Sequence, residues 1–200
     1  MTATKQVLEL AQLQEPELID KAKQGDKHAF KQLYQIHHQR VYALCLRITG
    51  QVTLAEEATQ DCFVRLWQKL PLFRGESQFT TWLHTLSVNQ ALSSVKKHRS
   101  FWARFISNEV DIDSVSDEYE DLDKILLKLP ERARIVFVLH ALEGYKHEEV
   151  ASLMGISAGT SKAQYHRAQK LLQQLMSQHS LNNANIGPAE NGGQYESYKH

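Results

Sequence analysis

The chain has 200 residues, of which 42% are apolar and 23% charged, and its 23 Lys and Arg balance 23 Asp and Glu. This composition is ordinary for a globular protein and excludes a fibre or wholesale disorder. The longest apolar run, residues 135–142 interrupted by His140, is too short to cross a bilayer, and the N-terminus MTATKQVLEL lacks the features of a signal peptide. We therefore expect a cytoplasmic protein without membrane insertion.

Two cysteines and ten histidines raise the alternative of an enzyme or a metal sensor. Cys45 and Cys62 both lie in apolar helical patterns, which favours buried, reduced thiols over a disulfide scaffold. The sequence contains no HExxH, no CxxC and no glycine-rich phosphate loop, and its histidines are dispersed. We expect no catalytic residue, no metal site and no cofactor.

Helical periodicity dominates the first 180 positions, where apolar residues recur every three to four residues and β-branched alternation is nearly absent. The sequence therefore predicts an all-α fold. In the first half, Gly25 is expected to end one helix, and Asp26 to cap the next. Gly50 is expected to end that second helix.

Two more helices follow before position 100. The capping box Thr53-x-x-Glu56 predicts the start of a third helix, which Pro71 stops. Ser77 is expected to cap a fourth helix from about Gln78 to about Ser100.

An acidic segment separates the two halves of the chain. Residues 108–123 contain eight Asp and Glu and no Lys or Arg. We interpret residues 103–118 as a flexible acidic linker between a four-helix domain at 15–102 and a second helical domain at 119–178. The Asn- and Gly-rich residues 179–200 are expected to be a disordered tail.

The second domain begins with an apolar helical stripe formed by Leu122, Ile125, Leu126 and Leu129. Pro130 is expected to open the next helix, and Gly144 to end it. A short helix over residues 146–153 and a long one over about 158–178 complete the domain.

These last two helices fit a DNA-reading helix-turn-helix. Such a motif needs a small residue where the helices cross, a turn residue that tolerates a left-handed backbone, and apolar anchors. Ala151 and Gly155 meet the first two needs, and Val150, Met154 and Ile156 are the anchors. The alternative is an ordinary helical hairpin with a solvated face.

The long helix has an inward and an outward face. The inward stripe consists of Tyr165, Ala168, Leu172 and Leu175. The outward residues, which we expect to enter a major groove, are Lys162, Ala163, His166 and Arg167. Ser157 is a suitable N-cap, whereas Ser161 stands where an apolar side chain would normally pack under the turn.

Four segments carry a family resemblance. Residues 55–67 read AEEATQDCFVRLW, residues 73–89 read FRGESQFTTWLHTLSVN, residues 129–137 read LPERARIVF, and residues 159–168 read GTSKAQYHRA. Over about 15–178 the chain thereby resembles the extracytoplasmic-function (group IV) sigma factors of bacterial RNA polymerase. The resemblance implies a sigma region 2 domain, a sigma region 4 domain and promoter-specific transcription initiation.

The resemblance also assigns partners. It implies that the helix with Gln60, Asp61, Phe63 and Arg65 docks on the clamp coiled coil of the largest subunit of core RNA polymerase, with a further contact to the flap. Trp67 on the same helix is at least equally suited to the core. The family further implies promoter DNA and an anti-sigma factor as partners.

Two sets of residues correspond to promoter contacts. For the minus-ten element they are Phe73, Arg74, Gly75, Glu76, Ser77, Asn89, Lys96, Lys97 and Arg99, of which the first six correspond to a pocket for an unstacked base. For the minus-thirty-five element they are Thr160, Ser161, Lys162, Ala163, His166 and Arg167. The three cations near position 97 also suit the helix dipole, and Phe79 and Trp82 favour core packing over base stacking.

The same features leave two alternatives open. The acidic linker corresponds to a segment that follows the polymerase channel toward the RNA exit path, but a solvated tether is an equal interpretation. A repressor or activator with a ligand-sensing N-terminal domain would also use a helix-turn-helix, and would dimerise and bind its operator without polymerase. That class of protein offers no role for the loop at 73–77.

Overall fold

The computed structural model describes residues 15–105 and 121–184, and all the regular secondary structure in these ranges is helical. In chain order the helices are α1 (residues 15–23), α2 (Lys27–Thr49), α3 (Val52–Lys69), α4 (Phe79–Phe105), α5 (Asp121–Leu127), α6 (Glu131–Phe137), α7 (His147–Met154) and α8 (Ala158–Ala184). A 3-10 turn, Leu70–Leu72, follows α3, and a π-helical turn, Val138–Leu142, continues α6. The all-α prediction is confirmed.

Glycine and aspartate mark the ends of the first helices as predicted. Gly25 follows α1 with φ of +92°, and the Asp26 carboxylate accepts hydrogen bonds from the backbone N–H groups of His28 and Ala29. Gly50 ends α2 with φ of +74°, where its N–H donates to the Leu46 carbonyl at 2.8 Å. These bonds satisfy backbone groups that a helix end otherwise leaves unpaired.

Two predicted helix starts are wrong by one or two residues. The N-cap of α3 is Gln51, whose carbonyl accepts the first intrahelical bond, so Thr53 and Glu56 both lie inside the helix and form no capping box. The carbonyl of Gln78, and not that of Ser77, accepts the first bond of α4. The first turn of α3 therefore closes without a side-chain cap.

Two helices extend beyond their predicted ends. Helix α4 continues through Phe105, three residues into the segment interpreted as a linker, and α8 continues through Ala184, six residues into the expected tail. Neither extension contains Gly or Pro, the residues that most strongly stop a helix. The rest of the linker and of the tail, residues 106–118 and 185–200, lies outside the described residues.

The first domain is built on α2, α3 and α4, which all pack against one another. Leu33, Leu46, Ile48 and Leu66 are at most 2% exposed at their centre, and each such burial contributes about 1.5–3 kcal/mol. Phe79 is buried and the half-buried Trp82 packs on the same core, so the predicted core role of both side chains is confirmed.

The second domain packs α8 across α5, α6 and α7. The predicted inward stripe of α8 is confirmed, because Ala168 and Leu172 are buried while Tyr165 and Leu175 are half-buried against the core. Leu126 from α5 is fully buried in the same cluster.

The two domains are in direct contact in this structure. Ile135, Val136, Val138 and Leu139, from α6 and its π-helical extension, belong to the same apolar cluster as the first domain's core. Val150 of α7 joins them. The sequence predicts two domains but gives no indication of this shared core.

Arg134 of α6 is the polar centre of the contact. Its guanidinium is buried and donates to the carbonyls of Arg47 and Thr49 at the end of α2, at 3.1 and 3.0 Å, and to the Leu129 carbonyl at 3.1 Å. The carboxyl end of a helix carries partial negative charge, so this cation is electrostatically suited to its place. A side chain at Gly50 would overlap the guanidinium.

Ion pairs flank the buried arginine. Arg47 donates to both carboxylate oxygens of Asp123, at 2.6 and 3.2 Å, a bidentate geometry. His84 Nε2 donates to Glu143 at 2.8 Å. That hydrogen bond, assisted by the charges of Arg47 and Arg40, holds the pKa of Glu143 below its usual value.

Candidate functional site

Helices α7 and α8 form the predicted helix-turn-helix. Gly155 has φ of +68° and its N–H donates to the Ala151 carbonyl, which also accepts from the Ile156 N–H at 3.0 Å. Val150 is fully buried and Ala151 is 7% exposed, so a small residue does lie where the two helices meet. The turn chemistry inferred from the sequence is confirmed.

The first turns of α8 present a cationic surface. Ser157 caps the helix, because its Oγ accepts the Thr160 N–H at 3.0 Å. Beyond the half-buried Thr160, the predicted outward residues are all exposed: Lys162, Ala163, His166 and Arg167. The structure therefore places these four side chains where a groove could receive them.

Ser161 is not part of this exposed set on α8. Its side chain is fully buried, and its hydroxyl is 3.0 Å from His147 Nδ1 on α7. The prediction that the Ser161 side chain lies near the DNA backbone is wrong for this conformation. A polar pair replaces the apolar contact expected under the turn.

The loop between α3 and α4 is exposed except at its first residue. Phe73 is half-buried, with its ring centroid 5.0 Å from that of Trp82 and 5.8 Å from that of Phe79. The other four candidates of the loop are exposed: Arg74, Gly75, Glu76 and Ser77. Phe73 thus anchors the loop to the core, and the residues after it remain accessible.

The helix after the loop carries the remaining minus-ten candidates. Asn89 is exposed, and its amide donates to the Thr85 carbonyl one turn earlier at 2.8 Å. Lys97 is also exposed. Lys96 donates to the Leu153 carbonyl of α7 at 3.1 Å, and Arg99 lies 3.7 Å from the carboxylate of Glu131 in α6. Two of the three cations therefore contact the second domain.

The polymerase-binding candidates on α3 differ in their solvent exposure. Gln60, Asp61 and Arg65 are exposed, and Asp61 accepts a hydrogen bond from Gln90 at 3.0 Å. Phe63 is only 4% exposed, so it cannot offer much area to a partner in this conformation. Trp67 is half-buried with its ring edge against Phe30, as the core interpretation requires.

Beside these residues lies a groove that the sequence analysis missed. It has a volume of about 860 Å³ and runs between α2 and α3. Six of its lining side chains are aromatic, and four of these recur every four residues along α2: Phe30, Tyr34, His38 and Tyr42. That spacing places them on one helix face and could have been recognised in the sequence.

The cysteines are unsuited to redox sensing. Both are buried, and burial raises the pKa of the Cys45 thiol to about 12 and also raises the pKa of the Cys62 thiol. A protonated thiol is a poor nucleophile. Within the described ranges no three His, Cys, Asp or Glu side chains are grouped as metal ligands, and none of the helices combines the length and apolarity needed to span a membrane.

Comparisons with known proteins define the class. Residues 33–101 match the family described as sigma-70 region 2, and residues 119–172 match sigma-70, region 4. Together these matches cover most of α2, all of α3, most of α4, and α5 to most of α8. The chain belongs to the sigma-70 family of RNA polymerase sigma factors.

Individual relatives indicate the group within the sigma-70 family to which the chain is similar. The chain is 26% identical to the ECF RNA polymerase sigma factor SigW of Bacillus subtilis over 176 residues, which is 79% of this chain and 94% of the relative. It is 27% identical to the RNA polymerase sigma-H factor of Pseudomonas aeruginosa, over 84% and 96% of the two chains. Within its family the protein is an extracytoplasmic-function sigma factor, which directs promoter-specific transcription initiation.

A solved structure supports the fold. The chain matches the sigma factor RpoE from Bartonella quintana, determined in complex with the anti-sigma factor NepR, with a TM-score of 0.52 and 25% identity. The match covers 74% of this chain and 96% of that one. The arrangement of helices in region 2 and region 4 is therefore shared.

Proposed function

We propose that this sigma factor binds core RNA polymerase through α3, opens the minus-ten element with the 73–77 loop and α4, and reads the minus-thirty-five element with α8. The observation that carries this proposal is the exposed set of Lys162, Ala163, His166 and Arg167 on a helix whose opposite face is buried. The protein contributes no bond-making chemistry, and it works in the cytoplasm, where the polymerase supplies catalysis.

The polymerase contact uses the exposed part of α3. Gln60, Asp61 and Arg65 provide polar contacts to the clamp coiled coil, and Val64, 51% exposed between them, provides an apolar one. A mixed apolar and polar patch of this kind is typical of helix-on-helix interfaces. Phe63 supports that surface from beneath. Region 4 contacts the flap.

The minus-ten contact uses the loop and the exposed edge of α4. An unstacked base costs a few kcal/mol, which hydrogen bonds from the loop backbone and from Asn89 can offset. Lys96, Lys97 and Arg99 supply charge for the adjacent phosphates, a contact that weakens as salt increases. The side chains of Arg74 and Glu76 are 83% and 80% exposed and so are available to the DNA.

The contact between the two domains must open before the minus-ten and minus-thirty-five elements can be bound together. The elements are about 25 base pairs apart, which is about 85 Å of duplex at 3.4 Å per base pair. A small domain is only about 30 Å across. Two domains that share a core cannot span that distance, so we infer that binding to polymerase and promoter separates them.

An anti-sigma factor is the third proposed partner. The related sigma factor from Bartonella quintana was determined in complex with one. In this chain the aromatic groove beside α3 is open, and an apolar helix or strand of a small partner would cover it. Pull-down from unstressed cells should recover such a partner, and recovery of polymerase alone would contradict this part of the proposal.

Single substitutions on α8 test whether this helix recognises the promoter without contributing to polymerase binding. Lys162→Ala and Arg167→Ala should each lower run-off transcription from promoters with a minus-thirty-five element about five- to tenfold, the effect of one lost contact of about 1–1.4 kcal/mol, while polymerase binding is unchanged. Lys128→Ala removes the same charge from an exposed position outside α7 and α8 and is the matched control. Equal loss of transcription and polymerase binding would contradict the assignment.

A further inference from the structure

A pair of stacked histidines joins the elements of the helix-turn-helix. The rings of His140, in the π-helical turn after α6, and His147, on α7, have centroids 3.9 Å apart and planes inclined by 25°. The ring of Tyr165 on α8 lies at 85° to that of His140, with the two centroids 4.7 Å apart. The proposed promoter contacts involve neither histidine.

Hydrogen bonds fix both rings. His140 Nδ1 donates to the Tyr145 carbonyl at 2.7 Å, so its proton lies on that nitrogen. His147 Nδ1 pairs with the Ser161 hydroxyl at 3.0 Å. Ser161 is fully buried, and a buried hydroxyl left without a hydrogen-bond partner destabilises the fold. The position of Ser161 therefore depends on His147.

Ser161 lies in the part of α8 proposed to contact DNA. Thr160 precedes it and the exposed Lys162 follows it. Successive residues of a helix point about 100° apart, so fixing the inward direction of Ser161 also fixes the direction in which Lys162 leaves the helix. The side chain at position 161 thus helps to fix the rotation of α8 about its own axis, together with the buried Ala168 and Leu172.

We propose that His147 is a positioning residue for minus-thirty-five recognition: through Ser161 it helps to hold α8 in the rotation that presents Lys162 and Arg167. The inference rests on the proposed function of α8. An apolar side chain would normally pack under the turn at the position of Ser161, and the polar pair with His147 replaces that contact here.

The surroundings of His147 oppose its protonation. Partial burial, with His140 of the π-helical turn and Lys162 and His166 of α8, lowers the pKa of His147, while Glu148 on its own helix acts in the opposite direction. Because this folded-state pKa lies below the unfolded value near 6.5, the stabilisation is complete above pH 6.5 and is lost as the pH falls below it.

The test compares reconstituted holoenzyme on two templates that differ only in their minus-thirty-five element, intact or scrambled. The variants are His147→Ala and the double variant His147→Phe with Ser161→Val, which replaces the polar pair by an apolar one. At pH 7.5, His147→Ala should lower the ratio of intact to scrambled transcription about fivefold, and the double variant should restore it. A ratio unchanged in His147→Ala would overturn the inference. A wild-type ratio of one would instead overturn the proposed role of α8 itself.

Discussion

The two proposed DNA-binding surfaces differ in their relation to the rest of the chain. On α8, Lys162 and Arg167 project away from a helix whose other side is buried, and the domain contact leaves them exposed. On α4, Lys96 donates to a carbonyl of α7 and Arg99 lies beside Glu131 of α6. The comparison indicates that the minus-thirty-five surface is accessible in the closed chain, whereas the minus-ten surface becomes fully accessible only when the domains separate.

Removing the side chain of Arg134 tests this comparison most strongly. Arg134→Ala leaves the carbonyls of Arg47 and Thr49 without their donor and should lower the free energy of unfolding by about 2–4 kcal/mol. Urea unfolding followed by circular dichroism measures the change. Arg132→Ala, an exposed arginine on the same helix, should change it by less than about 0.5 kcal/mol.

Opening of the domains should accompany that loss. Small-angle scattering of Arg134→Ala should show a larger radius of gyration than that of wild type or Arg132→Ala. If the radius stays the same while stability falls, Arg134 supports its own domain and does not hold the two domains together.

Asp123→Asn should have a smaller effect. The substitution keeps the size of the side chain but removes the charge that Arg47 contacts in a bidentate pair. The pair is only partly buried, with side-chain exposures of 25% and 10%, so we expect a loss of about 1–2 kcal/mol in the same urea assay. A change as large as that of Arg134→Ala would mean that the ion pair dominates the contact.

Acid should weaken the domain contact through Glu143. Because the pKa of Glu143 is lowered in the folded chain, its contribution is present above the unfolded value near 4.5 and is lost as the pH falls through the folded value. Wild type should therefore lose more stability than Glu143→Gln between pH 5 and pH 3. Identical acid profiles would show that the contact between His84 and Glu143 contributes nothing.

The smallest effect is expected for the reactivity of the two cysteine thiols. Cys45 and Cys62 lie in the core of the first domain, which should stay folded when the domains separate. Both thiols should remain unreactive toward iodoacetamide at pH 8 in wild type and in Arg134→Ala, and react only after denaturation. Rapid labelling of Arg134→Ala would show that the first domain itself depends on the contact.

Local features of the fold were predictable because they depend on local chemistry. Asp26 caps α2 and Gly155 ends α7 as the sequence indicates, since each forms its bonds within a few residues of itself. The start of α3 was mispredicted because a capping box is only a tendency, and the helix closes its first turn from Gln51 without one.

The parts of the site that escaped prediction depend on distant residues. The sequence predicts Ser161 as a DNA contact, but its partner in the structure, His147, lies 14 positions earlier on another helix. The link from Arg134 to the end of α2 spans 85 to 87 positions and follows no periodic pattern. Hydrophobic periodicity locates the face of a helix but does not identify the side chain or carbonyl that it meets.

The central claim is that this chain converts core RNA polymerase into a promoter-specific enzyme complex. Run-off transcription with purified core polymerase, with and without the protein, on fragments of its source genome that include the region upstream of its own gene tests that claim most directly. The account predicts new discrete transcripts that require the protein. Sequence-specific DNA binding by the protein alone, with no such transcripts, would contradict it and favour a self-standing repressor.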